Sequence, residues 1–416
     1  MNNYKNKIIG PFTQLLTMDN LPLKGSLCDS QLKIVHQGGI VVCNGKIAAV
    51  GEFDQLCSDF RNSSWIEYVE NQMVVIPGLI DPHTHICWAG SRANDYSLRL
   101  AGKNYLEIAQ DGGGIDSTVS HTRDATIAEL EALLMERVLK HLKNGVTTTE
   151  VKSGYCLNIL GEIKLLEVIG KVNQTHFVDL IPTCLAAHIK PSDFPGSQSD
   201  YLENIVCELL PIVKKLALAD RIDIYIDDGA FSVDEARKYL LKAKSIGFDL
   251  VIHAEQFTKG GVSLACELGV LSVDHLEIVE DKEIKLLAAS DVIPIVLPGA
   301  SLGLGCRFAS ARKLLDSGCS LAIGSDWNPG SAPMGDLLVQ TALLGIFEKM
   351  TIAESLAGIT FRAANALSLK DRGVLKNGFI ADMIGFPTSD YRDILYQQGS
   401  LKPSKVWKRG EIANDK

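Results

Sequence analysis

MVVIPGLIDPHTH, residues 73–85, is an apolar run that closes on an aspartate and two histidines. A short apolar run bounded by turn residues reads as a fully buried strand. Side chains two apart on a strand point the same way, so His83 and His85 would share a face. Two imidazoles placed like this can grip one metal ion at about 2.1 Å each. Pro77 and Pro82 stiffen the approach. The plainer reading of an HxH pair is two solvent-facing histidines at a loop start, and the apolar run in front argues against it.

Seven similar runs follow: GVTTTEVKS (145–153), DLIPTCLAAH (179–188), RIDIYID (221–227), DLVIHAE (249–255), LSVDHLE (271–277), DVIPIVLPG (291–299) and SLAIGSD (320–326). Helical patterns separate most of them. IAELEALLMERVLKHLKNG (127–145) is one, and its Asn144–Gly145 end is a good helix stop. Eight strands alternating with helices read as an α/β fold, a (β/α)₈ TIM-type barrel, over residues 73–369. An open doubly wound sheet is the alternative. No GxGxxG follows the first strand, so a dinucleotide site has no support.

The two ends differ in style. IVVCNGKIAAVGEF (40–53) carries an Asn44–Gly45 hairpin signal. GVLKNGFIADMIGFP (373–387) and KPSKVWKRGEIA (402–413) repeat the pattern. Residues 1–72 and 370–416 would together build one small β-rich domain. A barrel takes ~250 residues, which a chain of 416 accommodates with this appendage.

Composition narrows the partners. Hydrophobic residues make up 46% and charged residues 22%, ordinary for a globular enzyme. The formal net charge of −9 disfavours nucleic acid and anionic membranes as partners. It also means that an anionic substrate needs a local cation. Residues 1–20 lack the pattern of a secretion signal, and no apolar run approaches the ~20 residues of a membrane span. The ten cysteines form no CxxC pair and read as reduced thiols of a cytoplasmic protein.

Active sites of such barrels lie at the C-terminal ends of the strands. Five of nine histidines fall there: His83, His85, His188, His253 and His275, with Asp326 closing the eighth run. A lone strand-end histidine is more often a hydrogen-bonded core group, and a lone aspartate a helix cap or turn residue. The convergence of several at one mouth changes that balance. Three imidazoles and a carboxylate suit one Zn²⁺ or Fe²⁺ with a position open for water. A two-metal site needs a bridging group, often a carboxylated lysine on a middle strand. TCLAAH and IDIYID offer none, so one metal is expected and His188 is left for substrate.

PGLIDPHTH, the strand-end histidines and the final aspartate resemble the amidohydrolase superfamily. Within it, HICWAGSRANDYSLRLAGKNYLEIAQDGGGIDSTVSHTR (85–123), GVTTTEVKSGY, LAAHIKP, HAEQFTKGG, VDHLE, LPGASLGLG and SDWNPGSAP resemble the imidazolonepropionase family. The likeness runs from about residue 74 to 370. It implies hydrolytic opening of 4-imidazolone-5-propanoate to N-formimidoyl-L-glutamate, a step of histidine breakdown. It implies His83, His85, His253 and Asp326 as metal ligands. It implies Arg92, Tyr155, His188, Asn328, Gly330, Ser331 and Tyr105 around the substrate. An arginine fork suits a propanoate, where the plainer reading is a surface ion pair. An amide cannot serve as acid or base, so Gln256 reads as a hydrogen-bonding group and Glu255 as turned to the strand's other face. His275 then orients water or stabilises the oxyanion, and Asp326 carries the proton. The superfamily suggests a homodimer by analogy.

Two other readings remain. A nucleobase deaminase of the same superfamily would use the same metal set, and Gln256 and the GSRAND loop count against it. A non-catalytic binding barrel would be expected to lose ligands, and this chain keeps all four.

Overall fold

Gly78 divides the opening run between two sheets in the computed structural model, which describes residues 6–61, 63–103, 107–108 and 112–413. Five strands precede it: β1 (Asn6–Leu16), β2 (Ile34–Cys43), β3 (Lys46–Glu52), β4 (Ser64–Tyr68) and β5 (Val74–Pro77). Eight follow: β6 (Leu79–Asp81), β7 (Val146–Lys152), β8 (Asp179–Ala187), β9 (Arg221–Tyr225), β10 (Asp249–Ala254), β11 (Ser272–His275), β12 (Ile293–Val296) and β13 (Ala322–Ile323). Three end the chain: β14 (Met383–Phe386), β15 (Lys405–Lys408) and β16 (Glu411–Ile412).

The middle eight form one parallel sheet in unbroken order from β6 to β13. Just past its edge strands, Thr84 bridges Trp327 in parallel, and His85 N donates to Trp327 O at 3.0 Å. Asp326 N donates to His83 O at 3.0 Å. These contacts draw the two edges together, so the barrel is nearly closed. Helices fill most of the connections, as a parallel sheet requires. The helix Ile127–Lys143 starts on a capping box, Thr126 with Glu129, and buries Leu130, Leu134, Val138 and Leu142 at four-residue spacing.

The terminal strands make the second sheet, in order β16-β15-β14-β5-β1-β2-β3 with β4 beside β1. The Asn44–Gly45 hairpin has φ of 51° and 76°, as its sequence demands. Trp407 and Phe12 pack edge to face in its core, 6.0 Å between centroids. The start of β8 is tied to this sheet by charge. Asp179 accepts from Lys408 Nζ at 2.8 Å and pairs with Arg372. Among the described residues, no helix is long and apolar enough to cross a membrane.

The sequence reading took Met73–His83 as one barrel strand, and here the structure differs. β5 pairs with β1 and β14, whereas β6 pairs with β7. An all-apolar run has no alternation to mark such a break. The physical marker is Pro77–Gly78, where the backbone runs tight against the Thr147 side chain. A Cβ on Gly78 would lie 2.3 Å from Thr147 Oγ1 and 2.6 Å from its Cγ2. Gly78→Ala is therefore expected to destabilise the fold by about 1–3 kcal/mol through overpacking. Adding Thr147→Ala should recover part of the loss. Urea unfolding of both variants measures this, and a wild-type midpoint for Gly78→Ala would refute the close approach.

Candidate metal centre

The metal-capable side chains singled out above collect at one end of the barrel. His83 and His85 follow β6, His253 sits in β10, His275 ends β11, and Asp326 lies just past β13. His85 Nε2 is 3.3 Å from His83 Nε2 and 3.4 Å from His253 Nε2. Asp326 Oδ1 stands 3.5 Å from His83 Nε2 and 3.4 Å from His85 Nε2. All four residues are buried.

The outer nitrogens decide what the inner ones can do. His83 Nδ1 lies 2.6 Å from Asp274 Oδ2, and His253 Nδ1 lies 2.9 Å from Asp223 Oδ2. A carboxylate at Nδ1 holds the proton there and leaves Nε2 as a bare electron pair. Burial pulls His83 and His85 well below the usual histidine range, and His253 down to about 3. The imidazoles are thus neutral, the form that ligates metal. Electron pairs aimed at one point repel each other unless a cation lies among them. This donor set fits one divalent ion, with three nitrogens and one oxygen.

His275 stands beside the set. Its ring is 5.4 Å from that of His253, and its Nδ1 is 3.4 Å from Glu277 Oε1. Burial pulls its pKa down, but Glu277, Asp326 and Asp274 outweigh burial and raise it to about 9. Burial raises Asp326 to about 6 against the opposing pull of His275. Both residues sit at positive φ, 88° for His275 and 51° for Asp326. Side-chained residues hold such backbone at a cost of order 1–3 kcal/mol, and they cluster at functional sites.

The pocket residues surround this centre. Arg92 precedes the helix Ala93–Leu100, and its Nε is bonded to Asp95. Its Nη1 reaches Thr118 Oγ1 at 3.4 Å, and its Nη2 edge abuts Gly330, where a Cβ would come within 3.3 Å. The turn 328–331 folds around Asn328. Asn328 Oδ1 accepts from Gly330 N and Ser331 N, while Nδ2 donates to Asp326 O and Ser331 Oγ. The Asn328 side chain is therefore fully engaged in shaping its own turn. Ser331 Oγ in turn donates to Asp326 Oδ2 at 3.3 Å. The turn is braced from outside as well. Arg99 donates to Gly303 O and Gly330 O, and a Cβ on Gly303 would lie 1.6 Å from Ser331 O.

On the opposite side, His188 stacks on His85 at 5.4 Å, and Tyr155 lies 5.5 Å from His188. His188 Nδ1 donates to Gly154 O at 3.0 Å, which presents Nε2 as an acceptor. Gln256 Oε1 accepts from Tyr225 OH at 2.8 Å, which presents the amide N–H₂ as a donor. Glu255 turns away, as its place on the strand suggested, and accepts from Gly260 N and Val262 N. Tyr105 lies outside the described residues.

Sequence reasoning passed over the layer beneath: Lys152, Asp223, Asp274, Glu277 and Tyr225. A signal was available. Glu150 and Lys152 stand two apart on GVTTTEVKS, and Asp223 and Asp274 interrupt apolar strands. Charges on buried strands are rare unless paired.

The profile of the amidohydrolase family matches residues 74–413. The imidazolonepropionase of Alkaliphilus oremlandii is 36% identical over 410 residues, 97% of each chain. That of Deinococcus deserti is 41% identical, covering 81% of this chain and 84% of its own. Among solved structures, a zinc-bound adenosine deaminase from Xanthomonas campestris aligns with a TM-score of 0.70 at 17% identity, over 98% of this chain and 92% of that one. Ochratoxinase from A. niger gives 0.70 at 16%, over 98% and 95%. The chain belongs to the amidohydrolase family and, within it, to the imidazolonepropionase group.

Proposed function

We propose that this chain hydrolyses the cyclic amide of 4-imidazolone-5-propanoate to N-formimidoyl-L-glutamate. One observation carries the reading beyond family membership. A single turn, 328–331, joins Asp326 at the metal centre to the Arg92 fork. The proposed substrate has the matching two ends, a ring carbonyl to be attacked and a propanoate to be held.

His83, His85, His253 and Asp326 would hold one ion, zinc or iron. A divalent ion there supplies Lewis acidity, polarising the ring carbonyl and lowering the pKa of water. Asp326 accepts the proton of the attacking water at a carboxylate oxygen and returns it to the departing ring nitrogen. Its Oδ2 is kept in place by Ser331 Oγ. His275 stabilises the oxygen on which negative charge develops. Arg92 grips the propanoate, oriented by Asp95 and Thr118. His188 Nε2 accepts from the substrate, Gln256 donates to it, and Tyr155 walls the pocket. Gly330 lets the turn approach Arg92 closely.

The same reading treats residues 73–369 as the catalytic barrel and residues 1–72 with 370–416 as one composite domain. Ten unpaired cysteines support a cytoplasmic setting. A homodimer rests on superfamily analogy alone. The second reading, a nucleobase deaminase, draws on the fold shared with adenosine deaminase. An amide at Gln256 and a propanoate-sized cation at Arg92 weigh against it.

The test mixes purified, metal-quantified protein with fresh 4-imidazolone-5-propanoate and follows the loss of its ultraviolet absorbance. Loss abolished by a chelator and restored by metal is expected. Turnover of adenosine or cytosine without loss of the imidazolone would favour the deaminase. Asp326→Asn should lower kcat on the order of 10²–10⁴-fold with an unchanged circular dichroism spectrum. Near-normal turnover would remove Asp326 as the proton carrier. Arg92→Lys keeps the charge and loses the fork, so KM should rise roughly tenfold with kcat little changed. An unaltered KM would free Arg92 of its role.

A further inference from the structure

Beneath the four donors lies an ion cluster built on one lysine. Lys152 ends β7 and is completely buried. Its Nζ is 2.7 Å from Asp223 Oδ2, 2.8 Å from Glu150 Oε2 and 3.6 Å from Asp274 Oδ2. Two of those oxygens are the very atoms that face histidines. Asp223 Oδ2 meets His253 Nδ1, and Asp274 Oδ2 meets His83 Nδ1. One ammonium is thus shared by the two carboxylates that orient two of the three imidazoles. The third carboxylate, Glu150, is held by Lys152 and by Thr183 Oγ1 at 2.5 Å.

We infer that Lys152 is a positioning residue for His83 and His253, acting through Asp274 and Asp223. The inference rests on the metal site proposed above. The ammonium donates a hydrogen bond to Asp223 Oδ2 and makes ion pairs with Glu150 and, at longer range, Asp274. Carboxylates this close repel one another, and a cation between them offsets that repulsion, while Ser272 Oγ holds the far oxygen of Asp274 at 2.7 Å. The parts come from β7, β9, β10, β11 and the segment that follows β6. Lys152 therefore ties the register of separate strands to the aim of two ligands. Partners of metal-bound histidines set ligand orientation, and their loss costs on the order of 10–100-fold in metal affinity.

Lys152→Met alone leaves three buried carboxylates uncompensated and risks the fold. The informative comparison is Lys152→Met/Glu150→Gln against Glu150→Gln, since the double variant removes one charge of each sign. Zinc affinity is measured by competition with a chromophoric chelator, and the metal-free melting temperature by circular dichroism. The double variant should bind zinc on the order of 10–100-fold more weakly than Glu150→Gln while melting within a few degrees of it. Its zinc-loaded form should lose kcat with KM little changed. Equal zinc affinity in the two variants would overturn the inference, and the lysine would serve only to neutralise Glu150. Failure of the double variant to fold would also overturn it, by assigning Lys152 to folding instead. A wild-type chain that binds no zinc is a separate result, and it would overturn the metal reading itself.

Discussion

Lys152 Nζ lies among Glu150, Asp223 and Asp274 at the centre of the barrel, and the mouth is organised around that contact. Burying charges is costly, and such networks seldom stabilise a fold relative to well-packed apolar residues. Their value lies in direction. Two unit charges ~4 Å apart interact by about 4 kcal/mol at an effective dielectric near 20. Attraction of that size fixes two carboxylates against rotation, and each carboxylate fixes an imidazole. Aim is passed outward from the lysine to the proposed metal without a flexible link.

A second constraint brings the carboxylate ligand to the same point. Asp326 follows the shortest barrel strand, only two residues long. Backbone pairing past the strand ends compensates, through Thr84 with Trp327 and Asp326 with His83. Asp81 adds a side-chain tie, accepting from Ser325 N at 2.9 Å. The contacts that close the barrel therefore also position the proposed ligand set. The turn 328–331 extends it to Arg92, so the polar grip on a substrate inherits its position from the metal centre.

Much of this was legible in the chain. His83 and His85 stood out because period-2 spacing survives any detail of packing. Strand ends marked His253, His275 and Asp326, and the loop after the first strand brought Arg92 into view. Other features had a local signature whose meaning depends on distant residues or on backbone geometry. GVTTTEVKS looks like a polar-faced strand, yet every residue of β7 is buried. Its Glu150 and Lys152 acquire meaning only beside Asp223 and Asp274, which lie over 70 residues downstream of Glu150. Asn328 was expected around the substrate, whereas its side-chain bonds are made within its own turn, a matter of backbone geometry. The division of residues 73–83 at Gly78 escaped because both halves are equally apolar.

The most direct measurement is anomalous diffraction at the zinc edge from a zinc-loaded crystal. One peak bonded to His83 Nε2, His85 Nε2, His253 Nε2 and an Asp326 oxygen is the expected result. Two alternative donor groups lie close by, His83 with His253 and His275, and Asp223 with His253 and Asp274. A peak centred on either of them, or two peaks, would contradict the single-ion site and the orienting role given to the carboxylates.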